Sequence, residues 1–359
     1  MNRNLIFNTL KFALSDVGDP ETLAGITAED WEYIRAMLNM HGLSGLACEV
    51  IERMPETLRP PQPIIMKYIA ANVVAIQSYS RLKNLAGKID SVMKENDLKC
   101  LLLKGLSLAD YYPKPESRRF LDIDIYAPGR EKRVDDAFKS KGVVVDTDFY
   151  RHSHMSLGGI LVENHHFLLD VRGRQRLAEL DADLKSIALN HLKSFDAPGL
   201  YYPDAIFSLI FNLHHAMSHF IYEGISFKFL VDWIYFLRRE HLTVNQGTLA
   251  LERHGLLKFA AVMSEVSVRY LGLSIDHVPE CIRKEMAILK PWVVDRFIDD
   301  LFRPYEKVHQ KNIVAERLHN VRRIIKTSWK SKEFLEQSAF GFVWDKFLPI
   351  LMGKKFEAD

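Results

Sequence analysis

Asp122 and Asp124 stand in Arg118-Arg119-Phe120-Leu121-Asp122-Ile123-Asp124-Ile125-Tyr126, a stretch in which polar and apolar residues alternate. A strand of that period sends the two carboxylates to one face and Leu121, Ile123 and Ile125 to the other. Paired carboxylates repel one another unless a cation lies between them. Hard oxygen donors at this spacing suit Mg²⁺, which fills the rest of its shell with water and substrate phosphates. That is the chemistry of phosphoryl or nucleotidyl transfer. An amphipathic strand that happens to carry two aspartates on its outer face also explains the pair, so the neighbouring residues decide.

Upstream, Leu101-Leu102-Leu103-Lys104-Gly105-Leu106-Ser107 reads as a strand entering a glycine turn and then a short helix that stops before Pro113. Gly105 permits close backbone approach, and the amides that open the next helix form a phosphate site to which Lys104 and the Ser107 hydroxyl add donors. A plain strand-to-helix turn accounts for Gly105 as well. Farther on, His215 and His219 lie four apart in a helical run over 205–222 and share a face, the separation that presents two imidazoles to one metal. No Glu follows the first histidine, so the zinc-protease pattern is not met. Buried, hydrogen-bonded histidines where helix meets sheet are the plainer reading.

The elements that must position these groups divide the chain in three. Over 1–95 apolar residues recur at three and four, as in Trp31, Ile34, Met37 and Leu38, which predicts helices; Pro55 to Pro63 break them ahead of a long helix near 64–95. Over 96–175 short apolar runs bounded by Gly and Pro predict strands at 99–103, 121–127, 142–145, 152–157 and 159–169, with a helix near 131–141. From 176 to 359 the helical period returns. The expected class is α+β, a small mixed sheet flanked by an N-terminal helical region and a helical C-terminal domain.

Composition narrows the function classes. The chain has 359 residues, 48% hydrophobic and 26% charged, which excludes disorder and fibrous repeats. Lys and Arg number 48 against 46 Asp and Glu, so the molecule as a whole is not a polyanion binder. Arg303, Lys307, Lys311, Arg317, Arg322, Arg323, Lys326, Lys330 and Lys332 form a local basic stretch; a solvated helix face is its plainer reading and a nucleic-acid surface the sharper one. Cys48, Cys100 and Cys281 show no CxxC spacing, which predicts no disulfide framework and a reducing, cytoplasmic setting. The first residues read as an amphipathic helix with no small-residue cleavage site after it, and Ala339 to Leu351 is too short and too charged to cross a bilayer.

The order Lys104-Gly105, Tyr111-Tyr112-Pro113, Arg118 and Asp122-Ile123-Asp124 resembles the uncharacterised nucleotidyltransferase family of the polymerase-beta-like superfamily. Gly159-Ile160-Leu161-Val162-Glu163-Asn164-His165 is similar to that family's Val-Glu-Leu-His strand, and the likeness continues through Tyr202-Pro203-Asp204, His215 to His219 and Leu230-Val231-Asp232-Trp233. The resemblance implies transfer of NMP from an NTP, with ATP expected, to a hydroxyl-bearing acceptor with release of pyrophosphate. It implies three carboxylates holding two divalent ions, Mg²⁺ or Mn²⁺: Asp122, Asp124 and Glu163, with Asp170 as rival for the third. It places Lys104, Gly105, Ser107 and Arg118 on the nucleotide phosphates, and His215 and His219 on the nucleotide side with Asp232 behind them. Two departures stand against it: Leu121 replaces a glycine common before the first Asp, and Leu106 replaces a second Gly or a Ser in the phosphate turn. They leave open a weak or inactive nucleotide-binding or interaction protein on the same fold.

Overall fold

The computed structural model describes residues 2–15, 18–171, 175–240, 244–303 and 327–335. Residues 304–326, which hold most of the basic stretch, and the apolar segment 339–351 lie outside the described residues. The N-terminal periodicity resolves into α1 (Arg3–Leu14), α2 (Ala28–Met40), α3 (Ser44–Arg53) and α4 (Gln62–Glu95). The proline stretch acts as predicted. Pro61 caps α4 and another proline occupies its first turn, where a missing N–H costs nothing.

The middle segment supplies β1 (Lys99–Leu102), the single turn α5 (Leu106–Ala109), β2 (Asp122–Tyr126), α6 (Glu131–Ser140), β3 (Val145–Asp146), β4 (His152–Leu157) and β5 (Ile160–His165). Then α7 (Gln175–Lys193) precedes a strand that periodicity did not predict, β6 (Gly199–Tyr201). Three residues cannot display an alternating pattern, and β6 is held by parallel pairing with β1. The six strands form one mixed sheet in the order β3-β4-β5-β2-β1-β6. β2 is antiparallel to β1 and parallel to β5, while β4 and β5 form an antiparallel hairpin.

The period of two assigns each face. Ile123 and Ile125 turn into a core with Cys100, Leu102 and Val162, covered by α6 and by the Leu82, Leu85, Ile89 and Met93 stripe of α4. Each such fully buried aliphatic side chain contributes roughly 1.5–3 kcal/mol. Asp122 and Asp124 therefore face the other way, toward the helical half. That half comprises α8 (Ala205–Tyr222), α9 (Phe227–Arg239), α10 (Val244–Arg253), α11 (Leu257–Leu271), α12 (Glu280–Met286) and α13 (Pro291–Leu301). Its apolar residues join those of α1 to α3 and Tyr126 in one large core. No helix among the described residues is long and apolar enough to cross a membrane.

Candidate active site

The strand register gathers the chemistry into a row. On parallel β2 and β5, Asp124 is the direct partner of Glu163; on antiparallel β4 and β5, Glu163 is the direct partner of His154, and His165 of His152. Partners across adjacent strands share a face, so carboxylates and imidazoles from three strands line one side of the sheet. The intervening residues anchor the other side: Ser153 and Asn164 both donate to the buried Asp135 of α6. The row floors a cavity of about 560 Å³, within the roughly 300–1,000 Å³ of ligand sites, whose lining includes Lys104, Gly105, Arg118, Asp122, Asp124 and Glu163.

Asp124 is 2% exposed and receives Lys104 Nζ and His165 Nε2, each at 2.9 Å from its Oδ1. Burial opposes its ionisation, but Lys104 and His165 outweigh burial and hold the carboxyl well below the usual range. Glu163 goes the other way. Burial and then the charge of Asp124 push it up to about 8. Asp122 is raised for the same two reasons, burial first and Asp124 second. Lys104 keeps its charge because Asp124, Glu163 and Asp122 together overcome its burial and raise its pKa. Three carboxylates thus converge around the Lys104 ammonium, and the mutual repulsion that raises Glu163 and Asp122 is what a divalent cation would relieve. The donor set fits Mg²⁺ or Mn²⁺, which prefer carboxylate oxygens.

Gly105 lies at φ 59° and ψ −100°, outside the reach of ordinary residues, and a Cβ there would come within 2.9 Å of the Phe120 ring. The turn it makes brings Lys104 under β2. Its geometry differs from the expected phosphate cradle in two respects. The helix that follows is only α5, a single turn, and Leu106 is buried in the core beneath the sheet. Ser107 is buried too, and its hydroxyl donates to Leu103 O at 3.0 Å, so it does not line the cavity.

Arg118 does line it, but its fork is engaged. Nε and Nη2 donate to Asp232 Oδ1 and Oδ2 at 2.7 and 2.9 Å, Nη1 reaches Gly105 O at 3.4 Å, and Tyr112 donates its hydroxyl to Asp232 Oδ1 at 2.7 Å. The Tyr-Tyr-Pro and Asp-Trp segments therefore meet directly through Tyr112 and Asp232, and Arg118 fastens the Gly105 turn to α9. Asp232 stands behind Arg118 and not, as expected, behind the histidines.

His215 and His219 reach the cavity from α8. Their rings meet edge to face at 4.5 Å, Phe229 packs on both, and His219 Nδ1 lies 2.9 Å from Glu223 Oε2. Burial, then His219, keeps His215 neutral. Asp170 lies beyond the end of β5 and outside the cavity lining, whereas Glu163 is in register with Asp124. Sequence reading missed four groups. His152 and His154 enter only through long-range register. Lys228, on α9, lines the cavity without a salt bridge among the described residues, and burial followed by Arg118 lowers its pKa to about 8. His165 had a signal in the Glu163-Asn164-His165 spacing, which puts both on one face of a strand.

A mixed sheet in which a Lys-Gly turn and an Asp-x-Asp strand meet a third carboxylate on the adjoining parallel strand defines a nucleotidyltransferase-like core. A model of a family described as uncharacterised nucleotidyltransferase matches residues 27–272, and the chain belongs to that family. No curated protein and no solved structure gives a significant match.

Proposed function

We propose that this chain transfers NMP from an NTP, ATP in the first instance, to a hydroxyl-bearing acceptor and releases pyrophosphate. The observation that carries the proposal is the convergence of Asp122, Asp124 and Glu163 on one face, with the Lys104 ammonium paired to Asp124 among them. Two divalent ions would be held by these three carboxylates, Mg²⁺ or Mn²⁺ by their donor type. When bound, such ions supply Lewis-acid stabilisation of the phosphates and acidify the attacking hydroxyl.

The remaining work falls to the chain itself. In the transfer, the acceptor oxygen bonds to the α-phosphorus, the bond from that phosphorus to the bridging oxygen breaks, and pyrophosphate leaves with the electron pair. Glu163, whose proton affinity burial and the charge of Asp124 raise in the ion-free chain, accepts the hydroxyl proton. Lys104 and Lys228 supply positive charge for the triphosphate, and Arg118 positions the Gly105 turn through Asp232. His215, His219 and Phe229 form the opposite wall, on the nucleotide side. The three cysteines are free thiols, and we place the chain in the cytoplasm on that account.

Pyrophosphate release from each NTP, with Mg²⁺ and a panel of hydroxyl acceptors, tests the reading. Release by the wild type that is lost in Asp122→Asn supports it, and equal release by both contradicts it. A second reading, an NTP-binding module with little turnover, is favoured by the Lys104–Asp124 salt bridge and by the buried Leu106. It predicts NTP binding that is indifferent to Mg²⁺.

A further inference from the structure

We propose that His152, His154 and Glu163 form a binding site for a borderline divalent transition ion of the Zn²⁺ and Co²⁺ class, beside the Asp122 and Asp124 carboxylates. Register builds the site. His152 and His154 are two apart on β4 and share a face, and Glu163 of β5 is set directly across from His154. His154 Nε2 lies 3.4 Å from Glu163 Oε1, and His152 Nε2 lies 3.8 Å from Oε2. One donor atom from each of the three residues falls within 4.8 Å of the others. Bonds of about 2.0–2.2 Å to one ion separate neighbouring donors by roughly 3–4 Å, so small side-chain adjustments close the site.

This donor set differs in kind from the aspartate pair. Imidazole selects zinc and its first-row neighbours, whereas a carboxylate pair suits magnesium, and two imidazoles with one carboxylate leave positions open for water or substrate. The surroundings hold the donors in place. The Phe149 ring stacks on His154 at 3.9 Å, and the other face of the hairpin is tied to Asp135. His152 is 7% exposed, and its Nδ1 is buried without a hydrogen bond among the described residues. Its Nε2 is the atom that faces Glu163, and stacking on the His154 ring, with centroids 4.6 Å apart, holds it there. Glu163 faces both sets, since its carboxylate also neighbours Asp124. An ion on the imidazole side would then lie where Glu163 receives the acceptor proton. That consequence rests on the transfer reading; the binding site does not.

The test is titration of the full ion-free chain with Co²⁺, read by visible ligand-field absorption, followed by competition with Zn²⁺. One equivalent of Co²⁺ is expected to bind and to be displaced by Zn²⁺. His152→Ala and His154→Ala are each expected to weaken Co²⁺ by at least about 10-fold, while Asp122→Asn leaves it unchanged. His152→Asn and His154→Gln serve where an alanine variant does not melt as the wild type does. No absorption bands in the wild type, or bands that survive both histidine substitutions, would overturn the site. Bands lost in Asp124→Asn but kept in both histidine variants would place the ion among Asp124, Glu163 and His165, and would also overturn it. A wild type that binds Co²⁺ but no NTP leaves this site standing while removing the transfer reading.

Discussion

Asp124 and Glu163 sit directly across from one another on adjacent parallel strands, and their pKa values part in opposite directions. Lys104 and His165 secure the charge on Asp124, while burial and that same charge drive Glu163 up to about 8. Two like groups in one environment are thereby held apart in proton affinity, the difference on which the proposed transfer reading draws.

A stability profile follows from Glu163. Its folded-state pKa, about 8, lies above its ordinary value of 4.5, so between those values the native chain binds more protons than the unfolded one. Stability of the ion-free protein therefore falls as pH rises from about 4.5 to 8. Glu163→Gln removes this part of the slope, and at pH 8 it is more stable than the wild type by at least about 1 kcal/mol and melts higher. Thermal melts across that range check it; coincident curves for the two proteins contradict it.

Lys228 pairs stability with function. Its pKa is lowered to about 8, so its charge costs stability at neutral pH, and that cost is relieved as pH rises from about 8 to the ordinary value of 10.5. Lys228→Met is expected to stabilise the fold at pH 7 by about 1 kcal/mol and to weaken NTP binding. Between pH 7 and pH 9 wild-type NTP affinity should lose the contribution of the Lys228 charge, a loss that the variant does not show, so the two affinities converge. Calorimetric titration at pH 7 and pH 9 reads both.

The Arg118–Asp232 pair is buried and bidentate, with Tyr112 on the same carboxylate. Removing one partner strands a buried charge, so Asp232→Ala is expected to cost about 3–5 kcal/mol in urea unfolding. Arg118→Met combined with Asp232→Leu should cost less than the sum of the single changes, a coupling that a double-mutant cycle measures.

Local patterns made much of this architecture readable. Alternation through Asp122 and Asp124, the glycine after Lys104 and the helical run over 205–222 are properties of neighbouring residues, and the structure has them as β2, the Gly105 turn and α8. What escaped depends on distant partners. β6 is too short to show a period, and His152 and His154 acquire meaning only when β4 is laid against β5. Lys228 sits on a helix whose pattern says nothing of the sheet it faces. Ser107 shows the opposite case: its type suits phosphate, but the turn directs its hydroxyl to Leu103 O.

The most direct test of the carboxylate site is titration of each of the four NTPs into the wild type and into Asp122→Asn, with and without Mg²⁺, following heat and melting temperature. Asp122 is the better choice because it is only partly buried and makes no salt bridge among the described residues, so its loss leaves the packing intact. Mg²⁺-dependent binding of an NTP by the wild type, absent from a variant that melts no lower, is the predicted result. Binding that is equal in both proteins, or indifferent to Mg²⁺, would contradict the assignment of the site to these carboxylates.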